Sequence, residues 1–531
     1  TPPAYAKKAL ELVREAIKLV PKGNDYIILD RCAGTGNLQA ELSDDELSHT
    51  ILSTYEYYEY KVLLERFNGL VRHIVPPTDD HAVMNKTIGM IDCADALSEE
   101  YLKNEIIKQY IDNPKCTVIL FENPPYSDTS AVEFTDDKGQ KKTDRKNKYV
   151  SQEMRKELES LNNSNISSAR EITNLFIWSG LKYYLRQPTD SYVLFSPVKY
   201  FKSIGLVNKY FKDGFLCNRQ HFHASPSSIS VIWWQNKEKE QNNFIFPAFD
   251  IDNNQTIDIK DDKIVDIKID VEVKKVKNTL LPLFEKREFK NDIETNVWCE
   301  SDGTEAKNRK CDGKSIFNDN ILGYMTAKGF LIGPSNFSLT RQILYNARGF
   351  YLRNDNYLEK LPLFAAKLYP QERWYERDVY FTTGDGGDTY TKDKDFLKSC
   401  FIFTCLSRYN KCLSFTGSDK RFYKNELCFD AKTLASKQLE KYKLNADEKE
   451  LIKIWQSVLS EAKKTKKYNK KLAYSAFQIE MELNTSKKDE NNKLVYDYPT
   501  LNGELENLKK KLKVYYAKYI TPKLFEYELL K

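Results

Sequence analysis

Short apolar runs alternate with amphipathic stretches over residues 1–240. Apolar residues recur at helical spacing in 6–19 and 172–185, which predicts helices there. The runs that predict strands are 26–30, 51–56, 88–92, 117–121, 192–196 and 230–234. Strands that alternate with helices form parallel sheets covered by helices. The pattern therefore predicts a doubly wound α/β domain.

The pattern changes after an Asn/Lys/Glu/Gln-rich stretch at 235–243, which predicts a linker. Residues 244–270 alternate like two paired strands, and 396–429 is rich in β-forming residues and cysteine. Helical spacing returns in 439–459 and 505–530. We therefore predict two domains, 1–240 and 241–531, the second being a mixed α+β region that ends in helices.

Composition narrows the class of protein. A chain of 531 residues with 41% hydrophobic and 30% charged residues suits a multidomain globular protein. No apolar run approaches the roughly 20 residues of a spanning helix, and no charged-then-apolar leader precedes the first helix, so we expect a cytoplasmic protein. The ten cysteines form no C-x-x-C pair and all five histidines precede residue 224, so no metal is expected.

A glycine turn follows the first predicted strand, at residues 30–36 (Asp-Arg-Cys-Ala-Gly-Thr-Gly). Gly34 and Gly36 permit a tight bend and let a ligand approach main-chain amides at a helix start. Glu56 ends the second strand, where nucleotide-binding folds place an acid for ribose hydroxyls, and Glu59 is a competing choice. A plain strand-to-helix connection and a solvated helix start are the alternatives.

Asp95 follows the third predicted strand, at the edge of the sheet where doubly wound folds bind ligands. Its carboxylate can accept a hydrogen bond from an exocyclic adenine amine. The alternative is a helix N-cap, since a helical stretch begins at Leu97.

The sequence Asn123-Pro124-Pro125-Tyr126 follows the fourth predicted strand. Two prolines stiffen the backbone, so the Asn123 amide oxygen and a neighbouring main-chain carbonyl converge on one point. Two acceptors at one point form a receptor for an amino group with two hydrogens, and Tyr126 can stack on the ring that bears it. The alternative is a proline-stiffened structural turn.

These residues resemble the amino-group DNA methyltransferases of the N6-adenine kind. In that family the catalytic tetrapeptide matches Asn123 to Tyr126, and the donor motif Asp-Pro-x-x-Gly-x-Gly matches residues 30–36, with Arg31 in place of proline. Thr1-Pro2-Pro3 looks like the family's N-terminal motif, and the resemblance covers residues 1–240. It implies a Rossmann-like methyltransferase sheet, S-adenosylmethionine as methyl donor and a C-terminal target-recognition region. The donor-binding residues that it implies are Thr1, Pro2, Pro3, Asp30, Cys32, Ala33, Gly34, Gly36, Glu56, Asp95 and Ala96.

The resemblance also implies direct methyl transfer to an adenine flipped out of double-stranded DNA. The second stacking face is expected from Phe222 or from Tyr200-Phe201. A cytosine C5 enzyme would need a Pro-Cys nucleophile, and the chain has no such dipeptide. One recognition region predicts a monomer that reads an asymmetric sequence, and the lack of a preceding nuclease predicts a solitary enzyme similar to the orphan enzymes of spore-forming clostridia.

Basic and aromatic positions are candidates for DNA contact. They are the insertion at 127–170, the lysines of 463–471 and 509–511, and the segments 374–377 and 418–421. A solvent-exposed loop or helix face without DNA contact explains these positions nearly as well. Two other functions stay open: methylation of RNA amines or of a protein glutamine, and a catalytically silent DNA-binding specificity protein.

Overall fold

A computed structural model of the chain provides the structure. It describes residues 1–76, 84–85, 90–91, 94–126, 134–135, 141–142, 149–160, 166–199, 202, 207–252, 263–283, 321–327, 329–335, 337–340, 349–416, 422–430 and 432–531. The chain divides into two compact units. The first unit contains Thr1–Lys275 and Gln371–Val379, and the second contains Val276–Pro370 and Tyr380–Lys531.

The first unit holds seven described α-helices and thirteen described strands. In chain order they are α1 Pro3–Ile17, β1 Asp25–Asp30, α2 Asp44–Ser48, β2 Thr50–Leu52, α3 Tyr57–Phe67, β3 His73–Ile74, β4 Met84–Asn85, β5 Met90–Ile91, α4 Glu99–Leu102, α5 Glu105–Ile111, β6 Cys116–Glu122, β7 Phe134–Thr135, β8 Lys141–Lys142, α6 Tyr149–Ser160, α7 Ile172–Ser179, β9 Ser191–Pro197, β10 Lys209–Asn218, β11 Ser228–Glu238, β12 Asn243–Ile251 and β13 Ile264–Lys274.

Nine of these strands form one mixed sheet in the order β13-β12-β10-β11-β9-β6-β1-β2-β3. Strands β3, β2, β1, β6 and β9 are parallel, and β11 lies antiparallel between β9 and β10. In chain order, β2 and β3 are added on one side of β1, and the chain then crosses over to add β6 on the other side. The strand order therefore reverses between β1 and β6. Such a reversal opens a crevice at the carboxyl edge of the sheet.

The core of this unit explains the apolar runs of the sequence. Strand β6 is buried along its whole length, as expected of a parallel strand covered on both faces. Helix α1 buries one face, with Tyr5, Ala9, Leu10 and Val13 in the same hydrophobic cluster as β1, β6 and β9. The predicted doubly wound, Rossmann-like α/β fold is confirmed.

The prediction of a sheet strand at 88–92 was wrong. The strand next to β2 is β3, and only five residues separate it from the end of α3, so a short connection returns the chain directly to the sheet. The described part of 88–92 is β5, which pairs with β4 in a separate hairpin. A two-residue edge strand carries too few apolar residues to stand out in the sequence.

The predicted linker at 235–243 lies within the sheet. Strand β11 runs through Glu238 and β12 starts at Asn243, so the polar stretch is an exposed strand end and a short connection. Strands β12 and β13 pair antiparallel, as the alternation of 244–270 predicted. The first unit therefore continues to Lys275 instead of ending at residue 240.

The second unit holds seven described α-helices and eight described strands. In chain order they are β14 Ile321–Ala327, β15 Phe337–Thr340, β16 Gly349–Arg353, α8 Tyr357–Lys367, α9 Lys394–Leu406, β17 Asn410–Lys411, β18 Phe415–Thr416, β19 Phe422–Tyr423, α10 Leu434–Leu439, α11 Ala446–Ala462, α12 Ala476–Glu482, β20 Ser486–Lys488, β21 Leu494–Tyr496, α13 Pro499–Tyr515 and α14 Thr521–Glu526. A four-stranded sheet in the order β16-β14-β15-β17 and the helices share one hydrophobic core.

Residues 396–429 do not form the strand-rich region that their composition favours. Their first part lies in the buried helix α9, which Asp393 caps by accepting a hydrogen bond from the Phe396 amide at 2.9 Å. The burial of nearly this whole helix in the core overrides the weak β-propensity of its Phe, Ile and Thr residues. The predicted C-terminal helices are present. No helix in the described part of the chain is long and apolar enough to cross a membrane.

Candidate active site

A cavity of about 360 Å³ lies at the carboxyl edge of the large sheet, beside the reversal between β1 and β6. Five stretches of chain form its wall: the glycine turn, the end of β2 with the start of α3, the end of β6, the 94–97 segment and helix α7. The lining residues are Arg31, Cys32, Gly34, Thr54, Tyr55, Glu56, Glu59, Ala94, Asp95, Ala96, Leu97, Asn123, Pro125, Ile172, Leu175 and Phe176.

The glycine turn bends back on itself after β1. Gly34 has φ +57° and faces the Glu59 carboxylate, and the Gly36 amide donates to the Ala33 carbonyl at 2.9 Å. Gly36 has φ +80°, and a Cβ there would lie 2.3 Å from the Phe67 ring. The missing side chain at Gly34 therefore leaves room in the cavity beside Glu59, whereas the missing side chain at Gly36 lets the turn pack on α3.

Asp30 supports the turn from behind and does not line the cavity. Its carboxylate is fully buried and accepts from the Cys32 amide at 3.0 Å and from the Gln39 side chain at 2.8 Å. Burial, reinforced by the nearby Glu122 charge, raises the pKa of Asp30 to about 7. Cys32 and Gly34 line the cavity, and Ala33 anchors the turn by donating its amide to the Ser53 carbonyl.

Both acids that compete for a ribose role line the cavity. Glu56 is the residue before the first turn of α3, and Glu59 lies within that turn. Glu59 accepts a short hydrogen bond from the Thr54 hydroxyl, which orients its carboxylate towards Gly34. Both carboxylates therefore lie where they could accept hydrogen bonds from a ribose in the cavity.

Asp95 and Ala96 line the wall beside the end of β2. The Ala94 amide donates to the Thr54 carbonyl at 3.1 Å, which ties this segment to β2. Asp95 accepts from the Leu97 amide at 3.1 Å, whereas Ser98 is the residue that caps helix α4. Asp95 is therefore a turn residue facing the cavity and not the helix N-cap.

The loop at residues 123–126 leaves β6 at the cavity. The Asn123 side chain donates from Nδ2 to the Thr1 hydroxyl at 2.7 Å, and its Oδ1 accepts a hydrogen bond from Tyr126. Thr173 on α7 donates to the Pro125 carbonyl at 2.6 Å. Among the described residues nothing donates to the Pro124 carbonyl. The amide oxygen, which has two lone pairs, and the Pro124 carbonyl are thus the acceptors that this loop can offer.

The N-terminal Thr1-Pro2-Pro3 lies beside this loop instead of in the cavity wall. Pro2 and Pro3 start helix α1, where a missing amide hydrogen costs nothing. That start places the Thr1 hydroxyl on the Asn123 amide. A direct role of these three residues in holding a ligand stays a prediction.

Sequence reasoning missed the charged pair behind the cavity. Arg31 directly follows β1, and Glu122 is the last residue of the adjacent strand β6. Both side chains are fully buried, and Arg31 Nε lies 2.6 Å from Glu122 Oε1. Opposite charges at the ends of two neighbouring parallel strands were a readable signal for this pair. Thr54, Tyr55 and Ile172 also line the cavity, and no pattern in the sequence singled them out.

One candidate for the second stacking residue lies at the same edge of the sheet. Strand β10 runs parallel to β9, so the loop after it opens towards residues 123–126. Phe222 in that loop is half-buried and stacks on Tyr5, with ring centroids 6.0 Å apart and an interplanar angle of 9°. Tyr200 and Phe201 lie outside the described residues.

The segment 371–379 joins this loop from a distant part of the chain. Ser228 donates to the Trp374 carbonyl at 3.1 Å, and the Arg377 guanidinium donates to the Pro226 carbonyl at 3.1 Å. Trp374 and Tyr375 pack edge to face with centroids 5.5 Å apart. The candidate DNA contacts at 374–377 thus lie on the edge of the sheet that carries Asn123.

In the second unit, the lysine turn (residues 463–471) follows helix α11. Its six lysines are exposed, and of these Lys464 pairs with Glu461. The other five have no carboxylate partner in the described part of the chain. The turn is held rigidly, because the Lys466 and Asn469 amides donate to the hydroxyls of Tyr498 and Tyr474 at 3.1 Å each. The candidates at 418–421, and the side chains of the basic positions in the 127–148 part of the insertion, lie outside the described residues.

The known proteins to which the chain is similar are solved structures. No protein-family model and no curated protein matches the chain. A provisionally assigned class I S-adenosylmethionine-dependent methyltransferase from Listeria monocytogenes shares 13% identity over 44% of this chain and 60% of that chain, with a TM-score of 0.24.

Two longer alignments involve restriction-modification proteins. The type IIL enzyme MmeI in complex with DNA shares 11% identity over 97% of this chain and 72% of that one, with a TM-score of 0.34. The type IIG restriction endonuclease BpuSI shares 13% identity over 98% of this chain and 63% of that one, with a TM-score of 0.32. The chain thus spans less than two thirds of two of these three proteins. At such scores the similarities add nothing to the fold assignment, which rests on the sheet topology.

Proposed function

We propose that the chain is an S-adenosylmethionine-dependent methyltransferase that modifies the exocyclic N6 of adenine in duplex DNA. One observation carries the proposal: Asn123 and Pro125 line the same cavity as the glycine turn and three carboxylates. An amine receptor and a nucleoside-type pocket therefore share one wall, as transfer between an adenine amine and a bound donor requires.

The cavity suits the donor in size and chemistry. A volume of about 360 Å³ falls within the range of roughly 300–1,000 Å³ found for small-molecule sites. Glu56 or Glu59 can accept from ribose hydroxyls and Asp95 from the adenine amine, while Leu175 and Phe176 on α7 offer an apolar face to the ring. When bound there, S-adenosylmethionine supplies a methyl group on a positively charged sulfur.

The protein's own residues perform the remaining tasks. Asn123 Oδ1 and the Pro124 carbonyl accept the two hydrogens of the target amine, which localises the nitrogen lone pair towards the methyl carbon. Thr1 holds the amide so that the oxygen and not the nitrogen faces the amine. With the donor bound, transfer would form one carbon–nitrogen bond, break the donor's carbon–sulfur bond and pass one amine proton to solvent, so the residues of the loop need form no covalent intermediate.

DNA is the substrate that the surfaces favour. The lysine turn holds close together five cations without a carboxylate partner among the described residues, and their mutual repulsion is relieved when DNA phosphates neutralise them. The half-buried Trp374, Tyr375 and Arg377 side chains of segment 374–377 lie on the edge of the sheet where a flipped base would enter. A monomer acting on one strand of an asymmetric site belongs to the same proposal, with the second unit as recognition region.

Substitution of Asn123 tests the proposal. Asn123→Ala should lower methyl transfer by at least roughly 10²–10³-fold, the cost of losing one preorganised polar contact to a reacting group. Its dissociation constant for S-adenosylmethionine, measured by calorimetry, should match the wild type. Asn68→Ala, at the exposed C-terminal end of α3, is the matched control and should retain full activity.

The substrate is identified in the same series. Long-read sequencing of genomic DNA from cells with and without the protein should reveal N6-methyladenine in one recurring sequence. Methylation of structured RNA or of a protein glutamine, with DNA inert, would replace the proposal by the second candidate. Donor binding without transfer to any of these would indicate a silent specificity protein.

A further inference from the structure

We propose that Arg31 and Glu122 form a positioning pair that fixes Asn123 relative to the donor-binding glycine turn. The inference rests on the proposed function and adds two residues that do not contact either substrate through their side chains. Arg31 begins the glycine turn directly after Asp30, and Glu122 immediately precedes Asn123. The pair thus joins the two loops that must bring the methyl carbon and the amine together.

The contact between the two side chains is bidentate. Arg31 Nε donates to Glu122 Oε1 at 2.6 Å and Nη2 donates to Oε2 at 2.9 Å. The Arg31 backbone amide also donates to Oε1, at 3.2 Å. A planar guanidinium fork facing a carboxylate in this way fixes distance and orientation together, which a lysine ammonium cannot do.

The same guanidinium also reaches the opposite wall of the cavity. It donates to the Phe176 carbonyl at 2.9 Å and to the Ser179 hydroxyl at 2.9 Å, both on α7. Phe176 lines the cavity. One buried cation therefore ties the glycine turn, the loop at 123–126 and helix α7 into a single frame.

The surroundings leave the guanidinium no second position. Tyr192 donates its hydroxyl to Glu122 Oε2 at 2.5 Å, and the Tyr184 ring lies 4.5 Å from the guanidinium carbon. A Cβ on Gly180 would come within 3.1 Å of Arg31 Nη2 and within 2.7 Å of the Tyr192 ring. Glycine at this position is thus required for the guanidinium to sit against Glu122.

The consequence for the reaction is geometric. A misplacement of about 1 Å at reacting groups can cost about 100-fold in rate. Although Arg31 lines the cavity, its side chain and that of Glu122 are fully buried behind the wall. Loss of the pair should therefore lower kcat while the donor still binds. A purely structural pair would instead affect stability alone.

Four variants separate these roles: Arg31→Met, Arg31→Lys, Glu122→Gln and the double variant Arg31→Met/Glu122→Met. Single removal leaves a buried unpaired charge or an unsatisfied fork, so these variants should have lower melting temperatures, whereas the apolar double variant should recover much of the lost stability because no unpaired charge stays buried. Single-turnover rates on methylatable DNA are measured at a temperature where each variant is folded. All four should lose about 30–100-fold in kcat, with the donor dissociation constant changed by less than about threefold.

The decisive comparison is the double variant. Recovered stability with depressed kcat supports a positioning role. Recovery of both stability and kcat, retained kcat in the single variants, or a loss of donor affinity as large as the loss of rate would each overturn it. Arg72→Met is the control: Arg72 pairs with Asp25 at 2.6 Å at the opposite end of β1, and its removal should leave kcat unchanged.

A crystal structure of the double variant tests the positioning role even if the proposed function fails, because it needs no measurement of activity. If the wild-type protein methylates no DNA, the proposed function fails, yet the position of Asn123 can still be compared. A shift of the Asn123 amide away from the Thr1 hydroxyl by about 1 Å supports the positioning role. An unmoved amide contradicts it.

Discussion

At the scale of single residues, the amide of Asn123 is oriented by a group outside its own loop. An asparagine can present either its oxygen or its nitrogen to a ligand, and the hydrogen-bond partners decide which. Here the Thr1 hydroxyl takes the Nδ2 hydrogen at 2.7 Å, so Oδ1 is left as the acceptor. Orientation of the amide is therefore the role that the structure favours for Thr1.

Thr1→Val should lower kcat by about 3- to 10-fold, since it removes one hydrogen bond worth about 1 kcal/mol while preserving shape. Thr1→Ser keeps the hydroxyl and should retain most of the activity. Both are measured as single-turnover rates together with the donor dissociation constant. If Thr1→Val raised only that dissociation constant and left kcat unchanged, the donor-binding role implied by the family resemblance would be correct instead.

Asp30 gives a pH-dependent signature at the same scale. Its pKa is about 7 in the folded chain against an ordinary value of 3.8, chiefly because of burial. Between these values the folded state holds a proton that the unfolded state has lost, so this group's contribution to stability falls as pH rises from about 4 to about 7. The difference reaches about 4 kcal/mol at 1.36 kcal/mol per pKa unit.

Asp30→Asn should remove this dependence, because an amide stays neutral throughout. We expect the free energy of unfolding of the variant, relative to wild type, to improve steadily between pH 5 and about 7 and then level off. Denaturant titrations at several pH values measure it. Asp45→Asn, at an exposed position of α2, is the control and should not show the trend.

At the scale of elements, the glycine turn and α3 are packed too closely for a side chain between them. Gly36 and Gly69 have nearly equal φ angles, +80° and +81°, but a Cβ on Gly36 would meet the Phe67 ring whereas one on Gly69 would meet nothing within 4 Å. The two positions therefore separate backbone strain from steric overlap.

Gly69→Ala should cost about 1–2 kcal/mol of unfolding free energy, from left-handed backbone alone. Gly36→Ala should cost about 1–3 kcal/mol more, because the helix must move away. Chemical denaturation of both variants checks the difference. Equal losses would show that α3 yields to the added methyl group without resistance.

Other elements show which patterns are reliable. The strands at 26–30, 117–121 and 192–196 were predicted within a residue or two because a strand buried on both faces must be apolar throughout. Strand β3 and helix α9 were missed for opposite reasons. The first is too short to carry a pattern, and the second is so completely buried that it has no polar face to show a helical period.

At the scale of the whole molecule, the division of the chain follows the sheet and not its composition. Strands β12 and β13 extend the large sheet through Lys274, although a polar stretch precedes them. The segment 371–379 returns to the first unit after almost a hundred residues of the second. A discontinuous unit of this kind leaves no linker for composition to reveal.

The sequence by itself determined the parallel sheet, the glycine turn and the loop at residues 123–126, because apolar runs, glycine and proline act through local backbone physics. It also placed Glu56 and Asn123 at one edge, since parallel strands end together, whereas Asp95 lies at that edge because the Ala94 amide donates to the Thr54 carbonyl. Only the tertiary structure decided that Thr1 orients Asn123, that Arg31 pairs with Glu122 and that residues 371–379 join the first unit. These contacts link positions between 91 and 151 residues apart. Such pairings depend on how the chain folds back on itself. Opposite charges at two strand ends are a signal for Arg31 and Glu122, but only the folded sheet brings the two side chains together.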